Sequence, residues 1–221
     1  MINRLVRGIA TLAFAASIAT PALAETQTVT DVLNREVEVP AKAERILLGF
    51  YFEDFFAVGG PDAYDRVVAI SREAWEGWRN LQWQSYVEAV PRIAELTDVG
   101  ELDAGTFSLE TAVAAKPDIA VLAAWQYDVM GDTVGRLEAA GIPIVVLDYN
   151  AQTVEKHVTS TLLLGSILGE EARANELADL YAGSIGDIEK RLEGIEARPR
   201  VYVELARKGA GEIDNLSLIH I

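Results

Sequence analysis

The sequence predicts an α/β fold with a parallel sheet, and two observations support this prediction. Short apolar runs rich in Ile, Val and Leu recur along the chain, and their length and composition suit strands that are buried on both faces. Helical stretches separate these runs. Strands that alternate with helices form βαβ units, which place the strands parallel in one sheet.

The first 24 residues are typical of a cleavable secretory signal peptide. Two arginines precede an apolar stretch at residues 9–19, and the sequence ALA at residues 22–24 offers the small residues that a signal peptidase accepts. This stretch is shorter than the about 20 residues that a membrane-spanning helix needs. An N-terminal anchor helix is the alternative, and Pro21 argues against it. We therefore expect the mature chain to begin at Glu25 and to be soluble.

The amino-acid composition indicates the compartment of the protein and limits the classes of partner that it can bind. The chain has no cysteine, so an exported form can carry neither disulfides nor a lipid on cysteine. We therefore expect a free protein of the periplasm of a Gram-negative cell. The whole chain has 19 basic and 34 acidic residues. Cleavage of the signal peptide would remove two of the arginines and make the mature chain more acidic still. This acidity argues against nucleic acid and anionic membrane surfaces as partners, and simple solubility is the alternative explanation for it.

Four apolar runs predict the strands of the sheet. Alternation around Asn34 first predicts a β-hairpin, which ends at Pro40. The predicted strands then lie at residues 45–49, 66–70, 119–124 and 142–147. The predicted helices between them lie at residues 53–58, 81–89, 108–116 and 130–140.

The chain changes character after the last of these strands. It predicts two helices, at residues 153–168 and 170–195, which are separated at Gly169. At 1.5 Å per residue the second helix spans about 39 Å, which is more than a helix within one lobe normally needs. Residues 200–205 follow Pro199 and predict a new strand, with which a second sheet would begin.

Several segments, in this order, resemble a known family. They are VTDVLNREVEVP (29–40), ERIL (44–47), FSLETAVAAKPDI (107–119), LEAAGIPIV (137–145) and LGSILG (164–169). Together they resemble the periplasmic substrate-binding proteins that carry ferric siderophores, cobalamin or haem to ABC importers. The resemblance covers nearly all of residues 28–214, and it is far more specific for the family than for the ligand.

This resemblance implies a Rossmann-like parallel-sheet lobe at residues 25–169, a long inter-lobe helix at 170–196 and the start of a truncated second α/β lobe at 197–215. It implies a monomer that captures a small-molecule metal chelate and delivers it to an ABC permease at the inner membrane. No cofactor and no covalent chemistry are expected, although the ligand itself can contain iron or cobalt. A ligand-sensing adaptor for a membrane receptor is the alternative function.

The last six residues, LSLIHI (216–221), follow an unfinished segment. They resemble the translation of a sequencing adapter, so we expect a non-native tail and a natural chain that continues beyond Asn215. A genuine apolar strand is the alternative. His220 therefore enters no functional argument.

The ligand is expected beyond the carboxyl ends of the strands, where open parallel sheets bind their ligands. Aromatic and arginine side chains are concentrated in four segments there, at residues 50–53, 71–79, 125–127 and 148–150. Aromatic faces suit a large, flat ligand, and guanidinium groups suit carboxylate or catecholate oxygens. For the aromatic residues, packing at the sheet edge is the alternative. The candidate ligand-binding residues are Phe50, Tyr51, Arg72, Trp75, Trp78, Arg79, Trp125, Tyr127 and Tyr149.

The resemblance also implies that one exposed acid on each lobe docks on the permease. In the first lobe Glu88 and Glu95 occupy the matching stretch, and the sequence does not choose between them. A solvated helix face is the alternative for both residues.

We expect neither transport of a bare metal ion nor catalysis. Zinc sites need several histidine ligands, and outside the suspect tail the chain has only His157. The sequence contains no Gly-x-Ser-x-Gly elbow, no P-loop, no dinucleotide fingerprint and no cysteine nucleophile. We therefore predict a binding protein with no catalytic residues and no metal ligands of its own.

Overall fold

The computed structural model describes residues 25–196, 200–205 and 215–220. The predicted signal peptide at residues 1–24 lies outside the described residues, as does much of the predicted start of a second lobe. Within the described part of the chain, no helix has both the length and the apolar character needed to cross a membrane.

A five-stranded parallel sheet forms the centre of the structure, in the strand order β5-β4-β3-β6-β7. All four predicted sheet strands are confirmed, and β5 is an addition that the sequence did not predict. The strands are β3 (Ile46–Leu48), β4 (Val67–Ile70), β5 (Thr97–Asp98), β6 (Ile119–Ala123) and β7 (Ile144–Leu147).

Eight α-helices lie in the described residues. They are α1 (Phe52–Gly59), α2 (Glu73–Glu76), α3 (Asn80–Ala89), α4 (Leu109–Ala114), α5 (Ala124–Met130), α6 (Thr133–Ala139), α7 (Val154–Leu168) and α8 (Glu171–Leu192). Two 3₁₀ helices, Pro61–Arg66 and Pro91–Glu95, precede β4 and β5.

The helix predicted at residues 130–140 is present as α6, but it begins three residues later, at Thr133, and α5 before it was not predicted. Gly131 adopts a positive φ of 51°, which separates α5 from α6. Helix α5 begins directly after β6, so the segment 125–127 is helical rather than a loop. Helix α8 ends at Leu192, three residues before the predicted end.

The two faces of the sheet are buried under different helices. Alternate residues of each strand divide between two apolar clusters, as the pleat of a strand requires. In β3, for example, Ile46 and Leu48 pack with α1 and α7, whereas Leu47 packs with α5 and α6. Burial on both faces explains why the strands are continuous apolar runs.

The predicted N-terminal hairpin is confirmed. Strands β1 (Thr26–Thr30) and β2 (Glu36–Pro40) pair antiparallel, and Asn34 in their turn has a φ of 60°. The buried carboxylate of Asp31 accepts bonds from the Arg35 backbone N–H (3.1 Å) and Nε (3.0 Å). Arg35 Nη2 also donates to the carbonyl of Ile144 at 3.0 Å, so the turn is fastened to β7.

Helices α7 and α8 cross at very short range. Helix α7 ends at Gly169, whose left-handed φ of 69° lets the chain reverse into α8. A Cβ added to Gly165 would lie 2.3 Å from the Cβ of Ala174, so only glycine fits at this crossing.

Beyond α8, strand β8 (Arg200–Leu205) confirms the strand predicted at residues 200–205 and pairs antiparallel with β9 (Asn215–His220). This pairing does not test the origin of residues 216–221, which stays a prediction. The division into lobe, helix and second lobe stays a prediction as well.

A buried polar network holds the carboxyl edge of the sheet together. The side chain of Glu101 is fully buried and accepts a bond from the backbone N–H of Leu102 at 2.7 Å. Gln126 Nε2, on the first turn of α5, donates to both Glu101 oxygens at 3.1 and 3.2 Å. The Ser71 hydroxyl, directly after β4, also bonds to Glu101. One carboxylate therefore joins the segments that follow β4, β5 and β6.

We expect Gly165→Ala to lower the free energy of unfolding by about 1–3 kcal/mol, because the added methyl group forces α7 and α8 apart. The matched control is Gly183→Ala, on the open side of α8, where nothing lies within 4 Å of an added Cβ. This control should leave stability unchanged or raise it by up to about 1 kcal/mol. Urea denaturation measures both, and an equal effect of the two substitutions would contradict the close crossing.

We expect Glu101→Ala to cost about 3 kcal/mol, since it leaves Gln126 Nε2 and the Leu102 N–H buried without an acceptor. Glu101→Gln should cost much less, because the Ser71 hydroxyl can accept from the new amide and donate to the Gly100 carbonyl, 2.9 Å away. Urea denaturation compares the two variants. Equal losses would show that the charge, rather than the hydrogen-bond framework, holds this edge.

Candidate ligand-binding site

The strand order of the sheet reverses between β3 and β6, where the connections leave the carboxyl edge in opposite directions. From β3 the chain passes through α1 to β4 on one side, and from β6 it passes through α5 and α6 to β7 on the other. These two connections cover opposite faces of the sheet. The carboxyl ends of β3 and β6 therefore bound a crevice of the kind in which α/β proteins bind ligands.

Phe50 lies at this crevice and is the centre of an aromatic cluster. Its ring packs against Trp125 from the start of α5 (5.2 Å between centroids) and against Trp75 from α2 (5.7 Å). The indole N–H of Trp75 donates to the Phe50 carbonyl at 2.8 Å. Phe50 and Trp125 are partly exposed, but Trp75 is only 1 % exposed. Trp75 therefore supports the cluster from below, and its ring is not accessible to a ligand here.

The two candidate arginines have different surroundings. Arg79 lies over Phe50, with its guanidinium carbon 4.6 Å from the ring centroid, and no acid lies within 4 Å of it in the described residues. Arg72 instead donates to two backbone carbonyls of the segment before β5, at 3.1 and 2.6 Å, and is 3.9 Å from Glu76. Arg79 donates a long bond of 3.5 Å to the Ala74 carbonyl. Arg79 therefore offers most of its positive charge to a ligand, whereas the shorter bonds of Arg72 hold the segment before β5. We call Phe50, Trp75, Arg79 and Trp125 the Phe50 cluster.

Tyr51 and Tyr149 form a second aromatic pair at the same edge. Their ring centroids are 4.9 Å apart, and the Tyr51 hydroxyl accepts a bond from the Tyr149 backbone N–H at 3.1 Å and donates to Asn150 Oδ1 at 2.9 Å. Burial raises the pKa of both phenols far above its ordinary value, so both remain neutral donors. Tyr51 is buried and Tyr149 is partly exposed.

The two remaining candidates lie apart from these groups. Trp78 is 49 % exposed after α2, where its ring is open to solvent. Tyr127 packs in the cluster on the other face of the sheet, where its hydroxyl bonds to Arg35 at 2.9 Å. The structure therefore brings together Phe50, Arg79 and Trp125, with the tyrosine pair beside them, and places Tyr127 with the hairpin.

Sequence reasoning missed the groups that hold the crevice in shape. A Cβ at Gly49 would lie 2.3 Å from Gln126 Oε1, so glycine lets α5 begin close against β3. Gln126 then connects this point to Glu101. The only sequence signal was a glycine directly before Phe50 and a glutamine beside Trp125.

The predicted docking acids both lie on the surface. Glu88 is exposed near the end of α3, and Glu95 is exposed at the end of the 3₁₀ helix before β5. Within the described residues neither forms an ion pair. Their role stays a prediction.

The chemistry of the crevice suits reversible binding. It offers aromatic surface and one guanidinium that has no acidic partner in the part of the chain described, and both features suit a flat ligand with negative charge. In the part of the chain that the structure describes, no three His, Asp or Glu side chains are placed to hold a metal ion.

The fold is found in several solved structures. The TroA-like periplasmic binding protein FepB from Veillonella parvula has 28 % sequence identity and a TM-score of 0.78, over 86 % of this chain and 56 % of its own. The molybdate periplasmic binding protein MolA from Haemophilus influenzae has 15 % identity and a TM-score of 0.62, over 77 % of this chain and 55 % of its own. The catecholate-siderophore binding protein VctP from Vibrio cholerae has 18 % identity and a TM-score of 0.59, over 88 % and 61 %.

The chain thus spans little more than half the length of these structures. No curated protein matches its sequence. The family model described as periplasmic binding protein, however, matches residues 47–213, which include most of the parallel sheet and α1 to α8. The chain therefore belongs to the periplasmic binding protein family.

Proposed function

We propose that this protein is a periplasmic solute-binding protein that delivers an iron-siderophore-like ligand, or cobalamin or haem, to an ABC importer. The observation that carries the proposal is the Arg79 guanidinium, which lies over Phe50 and has no acidic partner among the described residues. It lies near the crevice between the carboxyl ends of β3 and β6. The family and the binding proteins of similar fold support capture and delivery rather than catalysis.

The chemistry of the cluster favours a chelate over a small inorganic ion. Phe50 and Trp125 present apolar aromatic surface, and Trp78 adds a half-exposed indole nearby in sequence. A catecholate chelate combines flat rings with oxygens that carry negative charge, so it can use both the rings and Arg79. VctP, of similar fold, is described as binding catecholate siderophores. MolA, also of similar fold, is described as bound to molybdate, which makes inorganic oxyanions the competing ligand class.

We expect a ferric tris-catecholate chelate to quench the tryptophan fluorescence of the protein in a saturable way, because Trp125 borders the proposed site. Haemin and cyanocobalamin are titrated in parallel, with N-acetyltryptophanamide as the control for light absorption by the ligand. Binding should be weak, since the chain spans about half the length of its structural relatives. Quenching by none of the three would contradict the chelate proposal, and calorimetric binding of molybdate would favour an oxyanion instead.

We expect Arg79→Gln to weaken binding of the anionic chelate by about tenfold or more, because a charge-assisted hydrogen bond is lost. Arg136→Gln on α6 is the matched control, since it removes the same charge from an exposed site on another helix. The control should leave affinity unchanged within about twofold. Equal losses in both variants would show general electrostatic attraction rather than a contact at the Phe50 cluster.

The permease contact is proposed to use Glu88 or Glu95. In cells that depend on this protein for uptake, charge reversal of the docking acid should abolish uptake of the chelate without changing its affinity in vitro. Glu88→Arg and Glu95→Arg are compared one at a time, and Glu110→Arg on α4 is the control for added charge. Normal uptake with both reversals would contradict docking through this surface.

A further inference from the structure

A separate cavity of about 310 Å³ lies between α1, α7 and α8. Leu177 and Ile185 of α8 form an apolar wall, and Tyr149 and Tyr181 contribute aromatic rings. None of the Phe50 cluster residues lines it. Tyr149, from the tyrosine pair beside the Phe50 cluster, does line it. The cavity therefore lies next to the crevice at the carboxyl edge of the sheet, but it opens between different helices.

Asp54 of α1 is the only acid among the described residues that line this cavity. No basic side chain lies within 4 Å of its carboxylate in the same part of the chain. Burial, with a smaller contribution from the neighbouring Glu53, raises the pKa of Asp54 to about 7. The cavity therefore contains a carboxylate that lacks the positive charge it would need to ionise easily.

The tyrosines around Asp54 supply no positive charge. Tyr51, Tyr86 and Tyr149 are neutral phenols, and burial is the main cause that raises the pKa of each. The negative charge of Asp54 makes a smaller contribution in the same direction for all three.

Neither His157 of α7, which lines the cavity, nor Arg173 of α8, which contacts α1 but does not line the cavity, neutralises Asp54. Burial lowers the pKa of His157, whose ring stacks on Tyr181 with 3.7 Å between the centroids. Arg173 of α8 donates to the Ala57 carbonyl at 3.3 Å and pairs with Glu176 at 2.8 Å. A cation that enters the cavity would therefore meet a carboxylate that has no competing basic partner among the residues described.

We propose that this cavity binds a small primary ammonium compound with an apolar body. The ammonium group would pair with Asp54 and lie against aromatic rings, which attract cations. The carbon body would fill the space beside Leu177 and Ile185. A bare metal ion fits less well, because hard cations need several oxygen ligands and this cavity offers one carboxylate.

The size of the cavity is consistent with this class of ligand. Its 310 Å³ is about ten times the ~30 Å³ that a water molecule occupies in the liquid, so a molecule of about ten non-hydrogen atoms fits. The proposed chelate site requires a positive charge, whereas this cavity offers a negative one. The two proposals can therefore fail independently.

Isothermal titration calorimetry of the full chain with 2-phenylethylammonium tests the proposal. At pH 8, where Asp54 is charged, we expect saturable binding that Asp54→Asn weakens by at least tenfold. Between pH 8 and pH 5.5 binding should weaken, because Asp54 is protonated as the pH falls through about 7. Burial lowers the pKa of His157 and so opposes a positive charge on its ring. The neutral analogue 2-phenylethanol should bind more weakly and should not respond to Asp54→Asn.

Two control variants distinguish a contact with Asp54 from general electrostatic attraction and from binding at the Phe50 cluster. Glu53→Gln removes a neighbouring charge from the same helix turn outside the cavity and should change affinity by less than about twofold. Arg79→Gln should leave ammonium binding intact. Asp54→Asn should fold normally, because Asn has nearly the same shape, so circular dichroism should be unchanged. Absence of saturable binding, equal binding by Asp54→Asn or loss of binding in Arg79→Gln would overturn the proposal.

Discussion

Burial of β3 on both faces is the constraint on which the rest of the structure depends. Each of its three residues is no more than 1 % exposed, and β4 and β6 occupy its two edges. Because β3 is the first strand of the sheet along the chain and has a neighbour at each edge, the later strands must be added on both sides of it. The order in which strands are added therefore reverses between β5 and β6. That reversal creates the crevice at the carboxyl edge, and Phe50 follows β3 into it.

The central sheet could be predicted because burial on both faces makes its strands continuous apolar runs. Strand β5 could not, since Thr97 and Asp98 are both exposed and give no apolar signal. The start of α6 could not be predicted either, because it depends on the positive φ of Gly131, which separates α5 from α6. The local sequence pattern therefore identified the strands and helices that build the core. It failed where a single backbone angle sets a helix boundary, or where a short edge pairing forms a strand.

The candidate site shows a different limit. Residue type predicted that aromatic and arginine side chains would meet at the carboxyl edge, but it could not distinguish a residue that is accessible to solvent from one that supports it from beneath. Trp75 and Trp78 are three residues apart, yet one is buried beneath Phe50 and the other is half exposed. Arg72 is set apart from the other candidate arginine by the carbonyl acceptors that its guanidinium reaches. The surroundings of Asp54 are set by its own helix α1 together with α7 and α8, which are distant from it in sequence, so no local pattern signals its raised pKa.

Aromatic contacts also connect the carboxyl edge of the sheet to α8. Tyr51 meets Tyr149, Tyr149 meets His157 at 4.8 Å, and His157 stacks on Tyr181 of α8. Together with the tight crossing at Gly165, these contacts fix the first half of α8 to the sheet. Farther along the helix, two apolar side chains are about half exposed, at 51 % and 52 %: Ile188 and Leu192. Moving the start of α8 would therefore break packed contacts, whereas moving its end would break few within the described residues. Bending α8 beyond Tyr181 would therefore break the fewest packed contacts. Such a bend would leave the Phe50 cluster and its supporting network undisturbed.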